Sequence, residues 1–196
     1  MSTQPAAQRY VRRGFWPRWR VRLTTFGLLI LPFISWLWGN SAMAQWSYPA
    51  GAIVTVMGVL LRLWAAGWLR KNQAMIIGGP YAHTRNPLYL GTGVLALGHG
   101  LMSAVALAPL LFTVLCFVIY YAAMRDEETY LAQQYGNDFE TYRAQVPLWL
   151  PRLRSYAAMN EDSGFSWQQV KRNREYEAAI INVVLIAIYA WLHQAA

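Results

Sequence analysis

The chain has 196 residues, 56% of them hydrophobic and only 13% charged, with a mean hydropathy of +0.20. Soluble domains carry about a quarter charged residues, so this composition excludes an ordinary soluble domain and points to a single integral membrane domain over residues 1–196. The net charge of +8 does not argue for nucleic acid, because the basic residues flank apolar runs instead of sharing one surface.

A helix needs about 20 apolar residues to cross a bilayer. Residues 21–39 qualify as a first span. A cleaved leader is a poorer reading of this run, since it contains Pro32, Trp36 and Trp38 and cleavage would remove its basic anchor. Residues 49–69 qualify as a second span, despite Arg62. Residues 88–124 carry no charge. As one helix they would be roughly 55 Å long, too long for a ~30 Å hydrocarbon core. A tight turn near Ser103 therefore splits them into spans three and four, with Pro109 in the first turns of the fourth. A fifth apolar segment covers 178–192, its helix running to about 194. The expected fold is all-α: a polytopic membrane bundle of about five helices, with spans three and four forming a helical hairpin.

The chain has one cysteine, Cys116, inside an apolar run, so no intramolecular disulfide is possible. His83, His99 and His193 are far from one another and from Cys116 in sequence, and no metal site is expected.

The charges orient the bundle. All but one of the 17 basic residues, Arg62, lie before or at the very start of span one, where Arg22 stands, between spans two and three, or between spans four and five. Residues 40–48, the turn near Ser103 and the C-terminus carry none. The positive-inside rule then puts the N-terminus and both long polar segments in the cytoplasm. Trp36, Trp38, Trp46 and Tyr48 would form an outer aromatic belt, with Trp16 and Trp19 at the inner one.

Both polar segments adjoin the hairpin, so residues 70–87 and 125–177 must meet at its mouth. The first contains "GGPYAHTRNPLYLG". Pro80 and Pro87 restrict the backbone, Gly78 and Gly79 permit close approach, and Tyr81, Arg85 and Tyr89 recur every four residues. If residues 81–89 wind as a helix, those three share a face. The second segment begins "RDEETYLAQQYG", the fourth helix leaving the membrane. Arg125 and Glu128 share a helix face there, Gly136 is a natural stop, and Asn137 with Glu140 and Ser166 with Gln169 read as helix starts. Preorganised polar groups at a membrane mouth suggest a site.

The loop resembles the G-P-Y-x-x-x-R-[HN]-P-x-Y-x-G signature of the isoprenylcysteine carboxyl methyltransferase and phospholipid methyltransferase superfamily. The stretch "RDEETYLAQQYGNDFETYRAQVPLWLP" resembles its second signature, in the family's order. The resemblance covers about residues 51–153. It implies an integral membrane methyltransferase using S-adenosylmethionine at a cytoplasmic site, without a dinucleotide-binding domain. Its acceptor would be lipid-like or isoprenoid and come from the bilayer. Carboxyl O-methylation is the leading expectation, with phospholipid N-methylation or a non-catalytic lipid- or partner-binding role as alternatives. The resemblance assigns cofactor contacts to Gln73, Ala74, Met75 and Ile76, and to Tyr81, Asn86, Pro87, Tyr89, Glu127 and Glu128. Arg85 and Arg125 are the candidates for catalysis and for holding an anionic group of the acceptor, since a guanidinium fork suits carboxylate or phosphate. Arg62, costly at its depth unless it faces protein or snorkels, is a further acceptor candidate. His83 could act as a base for amine methylation, although a lone loop histidine is more often solvated. The acceptor's identity and the oligomeric state are not legible.

The orientation is testable. A topology reporter inserted within residues 40–48, or fused after Ala196, is expected to read as outside. A cytoplasmic reading at 40–48 would reverse the assignment; one after Ala196 would remove the fifth span.

Overall fold

A computed structural model describes residues 16–70, 75–156 and 164–195. Among these residues seven α-helices follow in order: α1 Trp16–Trp38, α2 Ser41–Trp68, α3 Pro87–Met102, α4 Ala108–Tyr135, α5 Asn137–Gln145, α6 Trp167–Arg172 and α7 Glu175–Ala195. A short 3-10 helix, Gly79–Ala82, precedes α3. Among the described residues there is no strand. The side chains of Trp16 and Trp19, and all of Gln73 and Ala74, lie outside what is described.

The molecule is a helical membrane bundle. Helices α2, α4 and α7 are long and apolar enough to span a bilayer. Their outward faces carry exposed apolar side chains, such as Ile53, Val56, Met57 and Leu60 on α2. These recur at helical spacing and form a lipid-facing stripe. The apolar stretch of α1, Phe26–Trp38, is shorter. Helix α3 has only 16 residues, about 24 Å at 1.5 Å per residue, and is largely buried by its neighbours. The 88–124 run does divide at Ser103, where the chain turns between α3 and α4 and Pro109 falls in the first turn of α4.

Helix α2 begins earlier than the pattern suggests. Asn40 caps it, its Oδ1 accepting from the Met43 N–H at 2.9 Å, so 41–48 is helix rather than loop and Pro49 sits inside α2. The side-chain cap supplies a partner for one of the first orphan amides. Two more boundaries differ. Gly136, at φ +53°, both ends α4 and caps α5, so Asn137 is the first helical residue rather than the cap. The helix after Ser166 breaks at Asn173 and Arg174 before α7 starts.

Helix α3 packs most heavily on α2, then on α4. Glycine makes the first contact possible: a Cβ on Gly51 would lie 2.6 Å from the Gly98 carbonyl and 2.7 Å from the Met102 amide. Small residues at such crossings let helix backbones approach in a bilayer. The glycines of the third span are thus packing residues. Where α1, α3, α4 and α7 meet, Leu31, Met102, Ala108 and Tyr189 form a buried cluster.

Gly51→Val should push α2 and α3 apart, and overpacking of this kind costs about 1–3 kcal/mol. The expected result is a lower melting temperature in detergent with helical content retained. An unchanged melting temperature would mean that the close crossing is absent.

Candidate functional site

The two polar segments do meet. Residues 81–89 do not form one helix, however. The 3-10 turn ends at Ala82 and α3 begins only at Pro87. Pro87 disfavours helical geometry in the residue before it, and Asn86 sits at φ −130°, ψ 58°. Tyr81 and Tyr89 reach the same neighbourhood by another route, both facing the carboxylate of Glu127 electrostatically.

The loop is held by residues 142–156. Thr84 donates through Oγ1 to the Trp149 carbonyl at 3.0 Å, and Asn86 Nδ2 donates to the Leu148 carbonyl at 3.1 Å. The Arg85 amide donates to the Pro147 carbonyl at 2.9 Å. His83 Nδ1 donates to the Arg152 carbonyl at 2.8 Å, and the Arg152 amide donates back to the His83 carbonyl at 2.9 Å. The Tyr142 hydroxyl donates to the Tyr81 carbonyl at 2.7 Å. Below the loop, Gly78 and Gly79 lie against the Trp68 indole, where a Cβ on Gly78 would come within 2.7 Å of the ring and Gly79 adopts φ +57°.

Arg85, fixed by this frame, pairs with Glu128 Oε1; Arg125 Nη1 takes Glu128 Oε2 at 2.8 Å. The exposures differ: 12% for the Arg85 side chain, 7% for Glu128 and 50% for Arg125. Burial lowers the Arg85 guanidinium pKa, while Glu128 opposes that shift; the group stays charged at any physiological pH. Burial, reinforced by Glu127, pushes the Tyr81 phenol well up, and burial also raises Tyr142. Both phenols are therefore neutral hydrogen-bonding groups. Beside the pair opens a cleft of about 320 Å³ lined by Arg125, Glu128, Thr129, Ala132, Gln133 and Arg143.

Glu127 stands next to this pair, accepting from the Tyr89 hydroxyl at 3.2 Å. The Tyr89 ring lies 5.1 Å from that of Tyr120, whose hydroxyl is 3.1 Å from Thr24 Oγ1. This file of polar groups leads toward an apolar crevice among α1, α3 and α4, lined by Leu28, Leu95, Phe112, Leu115 and Cys116 among others.

Of the other expected site residues, Ile76 packs with Ala65 and Tyr81, Met75 packs beside Ile77 and Phe139, and Pro87 is buried at the first turn of α3. Arg62 makes a bidentate pair with Glu175, Nη2 to Oε1 at 2.8 Å and Nε to Oε2 at 3.1 Å, and donates to Thr92 Oγ1 at 2.5 Å. It ties α2, α3 and α7 together. Sequence reasoning missed Tyr142, Thr84, Trp68 and Glu175. The first two act on backbone carbonyls, which leave no residue-type signature. Among the described residues, no group of three or more His, Cys, Asp or Glu is placed to hold a metal ion.

Residues 46–138 match the phospholipid methyltransferase family. A cobalt-zinc-cadmium resistance protein of Cupriavidus metallidurans is 32% identical over 141 residues, covering 70% of this chain and 64% of that protein. A nickel-cobalt-cadmium resistance protein of Alcaligenes xylosoxydans xylosoxydans is 28% identical over 138 residues, covering 69% of this chain and 63% of that protein. A protein-S-isoprenylcysteine O-methyltransferase of Schizosaccharomyces pombe is 31% identical over 83 residues, 42% of this chain and 35% of that enzyme. The chain thus spans less than two thirds of the length of each of these relatives. No solved structure matches it significantly.

The ion-pair geometry makes a stability prediction. Removing one partner of a buried pair costs about 3–5 kcal/mol, whereas a half-exposed pair contributes about 0–1 kcal/mol. Glu128→Gln should therefore lower the melting temperature far more than Arg125→Met. Equal losses would mean that Arg125, not Arg85, is the principal partner of Glu128.

Proposed function

We infer that the chain is a member of the integral membrane methyltransferase superfamily, a reading its similarity to that family supports, and we propose that it transfers a methyl group from S-adenosylmethionine to a lipid-like acceptor drawn from the bilayer. The observation that carries this reading is the Glu128 clamp. It holds Arg85 and Arg125 side by side at the mouth of the α3–α4 hairpin, next to Glu127, Tyr89 and Tyr81.

The residues present fit such a cofactor. It is a sulfonium with a zwitterionic amino-acid tail, a ribose and an adenine, and it needs carboxylates, hydrogen-bond donors and apolar walls together. Glu127 is an exposed carboxylate at the mouth. Trp68 Nε1 is a buried donor without a partner among the described residues. When bound, S-adenosylmethionine supplies an electrophilic methyl group. Glu127 and Glu128, with Tyr81, Asn86, Pro87, Tyr89 and the chain at 73–76, would hold it. In this division Glu127 and Glu128 would both accept from the cofactor's ribose hydroxyls or amino group, and the arginines would serve the acceptor.

Methyl transfer is an in-line displacement, so orientation does most of the work. Arg125, half exposed beside the basic cleft, would hold an anionic group of the acceptor, with Arg85 behind it. The apolar crevice among α1, α3 and α4 has a volume of only about 40 Å³, so a hydrocarbon tail would lie along the lipid-facing side of these helices. Arg62, closed onto Glu175 and Thr92, would position α3 from the crevice side. Carboxyl O-methylation suits an arginine-lined mouth, because the acceptor oxygen is already nucleophilic and no base is needed. The phospholipid methyltransferase match favours an amine acceptor instead. The charge distribution supports a site on the cytoplasmic side.

The test is incubation with methyl-labelled cofactor and a membrane lipid extract. Label should enter a lipid product; alkali should release it as methanol from a carboxyl ester and leave it in place on an amine. Losing a charged hydrogen bond costs about 1.5–3 kcal/mol, roughly ten- to hundredfold in affinity. Glu127→Ala and Glu128→Ala should each weaken S-adenosylhomocysteine binding by that amount. Arg85→Lys and Arg125→Lys should lower turnover and leave cofactor affinity nearly unchanged. Wild-type binding by both glutamate variants would refute the cofactor assignment. Normal turnover in both arginine variants would move the acceptor's anchor elsewhere.

A further inference from the structure

The segment 147–154, "PLWLPRLR", is non-helical, yet its tryptophan reaches between α3 and α4. The Trp149 ring packs on Phe117 of α4 with centroids 4.4 Å apart. It also covers Gly93 of α3, where a Cβ would come within 3.1 Å of it. Phe117 precedes Arg125, the first charge on α4, by eight residues, or about 12 Å along the axis. Gly93 is six residues, about 9 Å, into α3 from Pro87. Trp149 therefore enters the bundle well inside the level of the charged groups.

The ring reaches that depth from a backbone bonded to the loop at the mouth. The carbonyls of Pro147, Leu148, Trp149 and Arg152 all accept from the loop at 83–86, and Pro147 and Pro151 have no N–H to satisfy. What the segment turns outward is apolar. Leu150 is 76% exposed and Leu153 101%, while Arg154 is exposed beside them. One exposed leucine needs no explanation. Two of them, following a tryptophan whose ring packs between α3 and α4, do. Their basic neighbour matches the charge of lipid phosphates.

We propose that residues 148–154 form a membrane wedge, with Leu150 and Leu153 inserted among the lipids beside the α3–α4 hairpin and Arg154 on the headgroup phosphates. The wedge sets the depth of the loop stapled to it, and so of Arg85 and Asn86. It does not depend on methyl transfer, and its test reads lipid contact without turnover.

The full chain, in a Cys116→Ala background, carries Leu150→Cys or Leu153→Cys labelled with an environment-sensitive fluorophore. It is reconstituted in phosphatidylcholine vesicles containing phosphatidylglycerol. Glu140→Cys, on exposed α5, is the aqueous reference. The expected result is loss of most emission to spin-labelled lipid at 150 and 153, with little quenching by iodide, and the reverse at 140. Iodide quenching at 150 and 153 equal to that at 140 overturns the wedge. Shielding from both quenchers also overturns it, because protein, a second copy or another partner, then covers the leucines. Arg154→Glu should raise iodide access to the label at 153; unchanged access removes the phosphate contact. Unsubstituted protein gives an independent answer by crosslinking to a diazirine-tailed phosphatidylcholine. Adducts on the peptide with Leu150 and Leu153 support the wedge. Their absence when α4 peptides are labelled overturns it.

Discussion

A carboxylate held between two guanidinium groups is the interaction on which the arrangement of this mouth depends. Glu128 lies on α4 and Arg85 on the loop before α3, so their contact closes the open end of the hairpin. A buried charge without a partner is strongly unfavourable, and among the described residues neither group has another oppositely charged partner in salt-bridge contact except Arg125 for Glu128. The second arginine adds a positive charge facing the cleft, where Arg143 adds another. The triad itself carries one net positive charge, with the carboxylate of Glu127 beside it.

The loop that carries Arg85 is rigid because it is bonded along its length rather than because of its prolines alone. Five of its residues, from Tyr81 to Arg85, bond through backbone or side chain to the segment 142–156. Low-dielectric surroundings strengthen each such bond and raise the cost of leaving any group unmet. Consequently the V-P-x-W-L-P stretch serves the loop as a scaffold, and Trp149 anchors that scaffold in the bundle.

A second clamp works deeper. Arg62 and Glu175 join α2 to the first turn of α7, with Thr92 of α3 as a third partner. Guanidinium and carboxylate meet bidentately there, the geometry in which such a pair is strongest. The helix packing around it relies on glycine at the α2–α3 crossing, since apolar lipid supplies no hydrophobic drive to bring helices together.

Membrane residence, helical class and the hairpin were legible in the sequence. Long uncharged runs can satisfy their backbones in lipid only as helices, and a 37-residue run must turn. The meeting of the Arg85 loop with the Arg125–Glu128 helix was legible too, since the hairpin's two ends have nowhere else to go. The helix starts were less so: Asn40 lengthens α2 past Pro49, and Pro87 breaks the periodicity of Tyr81, Arg85 and Tyr89, because local backbone rules override side-chain spacing. Only the tertiary structure decided which partner each charged group takes. Arg62 with Glu175 and Arg85 with Glu128 are separated by 113 and 43 residues, and charge has no periodicity from which such pairing can be read. The loop's bonds to residues 142–156 are equally hidden, because they end on backbone carbonyls that every residue possesses.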